Sequence, residues 1–123
     1  MKNISIIIVF LMIIVSCKND ELSLDRFKTG TFEIPEGKGY EKTLIIRTDS
    51  LQIEKYEDRI DTLTITWKNN FNYTLKMMHP KTALDEDPIY VKITNLKKDS
   101  YEFEAVIGHS NFVQKGEIIK KAN

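Results

Sequence analysis

Residues 61–80, DTLTITWKNNFNYTLKMMHP, place Leu63, Ile65, Trp67, Phe71, Tyr73, Leu75 and Met77 at odd positions and threonine, asparagine and lysine at most even ones. An alternation of period two belongs to a strand with one buried face, because successive side chains leave the pleated backbone on opposite sides. Asn69-Asn70 divides the run, asparagine being one of the few residues that tolerates positive φ, so the stretch reads as an antiparallel hairpin. The expected core is then Leu63, Ile65, Trp67, Tyr73 and Leu75, joined by Phe103 from a later strand. Thr62, Thr64 and Thr66 form an outer face of high strand propensity.

The rest of the chain repeats this pattern at short spacing. Runs at 27–34, 40–47, 51–56, 89–95, 101–107 and 112–120 read as strands, separated by turns at 35–39, 48–50, 57–59, 97–99 and 108–111. Gly30 marks an expected bulge in the first run, and Leu51 and Ile53 alternate with Gln52 and Glu54 in the third. Together with the hairpin this makes eight antiparallel strands in an up-and-down meander without a convincing helix. A meander of this size either closes into a barrel or folds over as a sandwich; a small lipocalin-like β-barrel is the expectation, because closure leaves no strand edge open to other chains and eight strands suffice for it. Bulky inward residues should nearly fill such a barrel, leaving at most a narrow apolar pocket near one mouth. The longest connection, His79 to Asp87, carries His79, Pro80 and the acidic run Asp85-Glu86-Asp87, and is the expected binding loop.

Composition excludes several functions. Lysine and arginine number 18 against 18 aspartates and glutamates, mixed along the chain, so no basic stripe is available for nucleic acid. His79 and His109 stand in turns without partners at metal-ligand spacing, and no metal or cofactor is expected. Asp85-Glu86-Asp87 lacks the alternating ligands and the glycine of a calcium loop. No serine lies in a nucleophile-elbow pattern, and no catalytic residue is expected.

The N-terminus points to a location. Lys2 is followed by an apolar run from Ile4 to Val15, too short for the ~20 residues of a spanning helix, then by Ser16 and Cys17. This is the pattern of a secretory signal over residues 1–16, and Cys17 is the one cysteine in the chain. Ile14-Val15-Ser16-Cys17 resembles the lipobox of bacterial lipoproteins, which implies acylation of Cys17 and a lipid-anchored mature chain; the polar, aperiodic residues that follow read as a tether over 17–25, ahead of the barrel domain over 26–123. The implied location is the cell envelope, at the outer membrane, periplasmic or surface-facing.

Further motifs are collinear with a known group: FKTGTFEI at 27–34, RTDSLQIEKYED at 47–58, DTLTITWKNNF at 61–71, LKMMHPK at 75–81, SYEFEAVIG at 100–108 and QKGEI at 114–118. In these the chain resembles a family of small lipoproteins often filed under the name DNA topoisomerase IV, a label that an exported domain of this size does not support as an activity. The family's cysteines before FKTG and after the tryptophan are replaced here by Asp25 or Arg26 and by Phe71, so no bridge is implied. The resemblance implies no catalytic residues. The sequence therefore leads to a membrane-anchored, non-catalytic binding module for an envelope protein partner or a small apolar ligand, with a structural envelope component as the alternative. Cys17→Ser is expected to abolish incorporation of radiolabelled fatty acid and leave an unprocessed or soluble chain; label retained in the variant would refute the lipidation.

Overall fold

The computed structural model describes residues 23–121, so Cys17, the signal segment and most of the tether lie outside the described residues. The elements are β1 (Gly30–Ile34), β2 (Thr43–Arg47), β3 (Leu51–Tyr56), β4 (Arg59–Asn69), β5 (Asn72–Met77), a 3₁₀ turn (Leu84–Glu86), β6 (Ile89–Leu96), β7 (Ser100–Ile107) and β8 (Gln114–Lys120). Each strand pairs antiparallel with the next, and β8 returns to β1 to close an eight-stranded barrel. The closing seam is the shortest pairing: Phe32 lies opposite Lys120 and Glu33 opposite Ile119, extended by a hydrogen bond from the Lys121 N–H to the Thr31 carbonyl (2.8 Å). Beyond Glu33 the two strands part.

Register assigns the inside. Leu63, Ile65, Tyr73, Leu75, Val91, Ile93, Tyr101, Phe103 and Ile118 are buried in one core with Phe27, Phe32 and Ile45. Trp67 is half-buried and packs on that core, its ring 4.5 Å from that of Tyr73. It stands three residues before the first turn residue of the hairpin, Asn70. Gly116 faces the lumen because no larger residue could: a β-carbon there would stand 2.9 Å from the Phe103 ring, which lies over the glycine.

Several local expectations change. Gly30 is no bulge but the first residue of β1, at φ +125, with the Lys120 side chain against it. The bulges fall at Lys68 and Thr94, where the pairing skips from Trp67 to Asn69 and from Ile93 to Asn95. The hairpin turn residues are Asn70 and Phe71, and neither has positive φ. Asparagine acts there through its side chain: Asn69 Oδ1 accepts from the Phe71 N–H (2.8 Å) and from Asn72 Nδ2 (3.0 Å). Phe71 consequently sits exposed at the tip and leaves the core face. Positive φ is instead taken by Glu57, in the two-residue turn between β3 and β4.

One end of the barrel is sealed. The turns after β2, β4 and β6 lie there, and residues 23–29 fold across it so that Phe27 is buried against Tyr101, ring centroids 5.2 Å apart. Arg26 ties this plug to the β6–β7 turn through the Lys97 and Lys98 carbonyls, and Lys120 Nζ donates to the Arg26 carbonyl (2.6 Å). Behind the plug Arg47 is buried at 2% exposure. Its Nε donates to Gln52 Oε1 (2.9 Å), Nη1 to the Phe27 carbonyl (2.8 Å), and Nη2 to the Tyr101 and Tyr73 hydroxyls (3.2 and 3.4 Å). The guanidinium also lies over the Phe32 and Tyr73 rings, at 4.7 and 5.0 Å. Arg47→Met keeps the volume but leaves the Phe27 carbonyl and Gln52 without their donor. At ~1–3 kcal/mol for each stranded buried group, urea denaturation should show a loss of at least ~2 kcal/mol; an unchanged midpoint would contradict this role.

Candidate functional site

The opposite end of the barrel is hollow. It is ringed by the connections β1–β2 (35–42), β3–β4 (57–58), β5–β6 (78–88) and β7–β8 (108–113). Two cavities lie inside it, of about 300 and 640 Å³, and Thr43 and Tyr56 belong to the walls of both. They adjoin along this shared wall as two compartments of one vestibule; the strand residues of the smaller occupy inward positions of the register, and the larger also reaches Lys115 and Glu117, which leave β8 on its outer face. The vestibule is larger and more polar than the narrow apolar pocket expected from the bulk of the inward residues.

The smaller compartment is floored from β3 and β4. Along β3 the alternation suggests Leu51 and Ile53 as the buried face, yet Gln52, Glu54 and Tyr56 point inward. The register with β2 explains the choice: Gln52 pairs with Arg47, and a slip of one residue would strand the guanidinium without its acceptor. Gln52 then passes the interaction on, donating from Nε2 to Glu54 Oε2 (2.7 Å). Leu51 and Ile53 remain half-buried on the outer face, where Ile53 lies opposite Ile46 of β2. Arg59 and Asp61, from the start of β4 near the mouth, form an ion pair of 3.1 Å on the wall of the same compartment, with the Arg59 side chain mostly in solvent.

Burial holds the Glu54 carboxyl above the ordinary glutamate range, and the Gln52 hydrogen bond only partly opposes it. Arg47 behaves differently. Burial works against its charge, but the facing Tyr73 and Tyr101 hydroxyls outweigh this and its net shift is upward. Burial also pushes the Tyr73 phenol well above the ordinary tyrosine value. A fixed cation thus sits at the sealed end and a recessed carboxyl at the vestibule floor, joined through the Gln52 amide.

The expected binding loop divides. Asp85 and Asp87, with Leu84 of the 3₁₀ turn, line the smaller compartment like a partial lid. His79, Pro80 and Glu86 are exposed and line neither compartment, and His109 is likewise exposed in its turn. The loop is ordered locally: Asp85 Oδ2 accepts from the Lys81 N–H (3.1 Å), and the Asp85 N–H donates to Thr82 Oγ1 (3.2 Å). Among the described residues no three histidine, cysteine, aspartate or glutamate side chains are grouped to hold a metal ion. Among them, too, no helix is long and apolar enough to cross a membrane.

The larger compartment opens beside the parted seam. Ile34, Pro35, Tyr40, Phe103 and Gly116 shape it, and Phe112 and Val113 of the β7–β8 connection stand at its edge. Exposed apolar side chains concentrate around this mouth: Tyr40, Ile60, Met78, Leu84, Phe112 and Val113, with Phe112 exposed by 74%. Every one of the four connections contributes or adjoins one. Glu54, Tyr56, Arg59 and Asp61 escape sequence reasoning because each is a polar residue in or beside a strand that looks solvent-facing when read alone. The one available signal is that Arg47 closes an otherwise apolar strand, TLIIR.

Comparison of the chain with protein families, curated proteins and solved structures finds no match to any of them.

The sign of the Glu54 shift makes a prediction. A carboxyl whose folded pKa exceeds its unfolded value, near 4.5, binds its proton more tightly when folded. Its contribution to stability is full below that unfolded value and is lost as pH rises through the folded one. At neutral pH the ionised group therefore costs stability. Glu54→Gln, which can still accept from Gln52, should raise the melting temperature at pH ~7 and lose this advantage below pH ~4. An equal shift at both pH values would show that the carboxyl does not titrate in this way.

Proposed function

We propose that this chain is a lipid-anchored envelope protein acting as a non-catalytic binding module, with the hollow end of the barrel as the receptor for a small ligand that is largely apolar. The observation that carries this reading is the vestibule: a filled half-barrel supports an open half of about 640 and 300 Å³. Binding pockets for small molecules fall in the range of ~300–1,000 Å³ and combine apolar walls with a few placed polar groups. Here Ile34, Phe103, Met77, Ile89 and Ile107 supply the first, and Thr43, Tyr56, Glu54 and Asp61 the second.

The lipobox resemblance supports the anchor and gives it a geometry. From Cys17 to Ser23 the chain spans at most ~20 Å, and the segment that begins at Ser23 packs on the sealed end. That end therefore faces the membrane and the mouth opens away from it. A ligand enters from the aqueous side or from another protein, not from the bilayer that holds the anchor. The apolar crown of Tyr40, Met78, Leu84 and Phe112 favours a second reading, in which an envelope protein docks on the rim.

Titration of the purified protein with the neutral fluorophore N-phenyl-1-naphthylamine tests the first reading. One saturable site is expected, lost when Thr43, which faces both compartments, is filled by Thr43→Trp. Absence of saturable binding, or binding unaffected by that substitution in a protein that still folds, would leave the rim as the functional surface.

A further inference from the structure

We propose that the vestibule selects a cationic amphiphile: an organic ammonium head in the smaller compartment and an apolar body in the larger. This rests on the vestibule being a ligand site, and the charge of its walls carries it further. The smaller compartment bears four carboxylates, Glu54, Asp61, Asp85 and Asp87, against one cation, Arg59. Arg59 is committed to Asp61 at 3.1 Å, and among the described residues Glu54, Asp85 and Asp87 have no lysine or arginine within ion-pair distance.

Glu54 is the group that turns this charge into a site. It is recessed at the floor, and the hydrogen bond from Gln52, itself held by Arg47, fixes its direction before any ligand arrives. A carboxylate kept in a place that disfavours its charge gains most from a cation brought to it. The carboxylates are too dispersed to hold a metal ion, and Met77, Leu84, Ile89 and Ile107 stand between them. That mixture suits a diffuse organic cation with carbon substituents better than a hydrated inorganic one.

An anionic head finds no counter-charge. The Arg47 nitrogens already donate to Gln52, Phe27, Tyr73 and Tyr101 behind the floor, and Lys115 at the larger compartment lies 3.8 Å from Glu104 with its side chain mostly in solvent. The larger compartment, which shares Thr43 and Tyr56 with the first, has room for an alkyl or aromatic body beside Phe103 and Ile34.

Calorimetric titration of the purified protein at neutral pH with dodecyltrimethylammonium, dodecanol and dodecanoate, each below its micellar concentration, decides the matter. The ammonium is expected to bind at least ~10-fold more tightly than the alcohol, a gain within reach of a recessed charge pair, and dodecanoate most weakly. Glu54→Gln should bring the ammonium down to the affinity of the alcohol, and Asp87→Asn should lower it by a smaller factor. Equal binding of ammonium and alcohol, or tightest binding of dodecanoate, would overturn the charge selection while leaving the vestibule as a site. Failure of all three probes to bind would overturn the vestibule reading itself, and this proposal with it.

Discussion

The buried guanidinium of Arg47 is the interaction around which the barrel is arranged. A charge at 2% exposure is tolerable only if its donors are met, and the four partners come from the N-terminal plug, β3, β5 and β7. Its faces rest on rings of β1 and β5, so one side chain on β2 touches most of the sheet. A planar fork of five donors can do this where a lysine ammonium could not. The tyrosine hydroxyls that receive it are bonded to each other at 2.7 Å, which turns two more polar groups from liabilities into a closed network.

That network also explains why the two halves of the barrel differ. At the sealed end Phe27, Phe32, Tyr101 and Arg47 occupy the lumen together, and the chain preceding β1 is folded over them. Toward the mouth the inward positions pass to the polar Thr43, Glu54, Arg59 and Asp61, while Gly116 admits the Phe103 ring and adds no bulk of its own. The β1–β8 seam is paired only near the sealed end, and Pro35, which cannot donate to a ladder, stands where the strands separate. Stability is concentrated at one pole, and the other is free to be shaped for contact.

Much of the fold is legible in the chain. The eight runs correspond to eight strands, with shifted ends and two bulges: the first begins at Gly30 because Phe27 is needed as a plug, and the fourth reaches back to Arg59 because the preceding turn needs only two residues. Leu63, Ile65, Tyr73, Leu75 and Phe103 are buried on the face that their alternation gives them, and Trp67 is half-buried beside them. The candidate site is less legible. The 78–88 connection does reach the vestibule through Leu84, Asp85 and Asp87, but His79, Pro80 and Glu86 turn outward. The floor residues come from β3 and β4, where the alternation of β3 suggests the opposite face.

The period of two, the turn residues and the solitary Cys17 after an apolar segment are local properties, and by themselves they determined the meander, its core strands and the expectation of a lipid anchor. Which face of β3 turns inward, which pole is sealed and what charge lines the other were decided only in the tertiary structure. The reason is distance along the chain: Arg47 meets its partners at separations of 5 to 54 residues. Gln52 alone falls in the same short window as Arg47; Phe27, Tyr73 and Tyr101 stand 20 to 54 residues away. Glu54 reads as a surface residue until the β2–β3 register, which sets Gln52 opposite Arg47, turns that face of β3 toward the lumen.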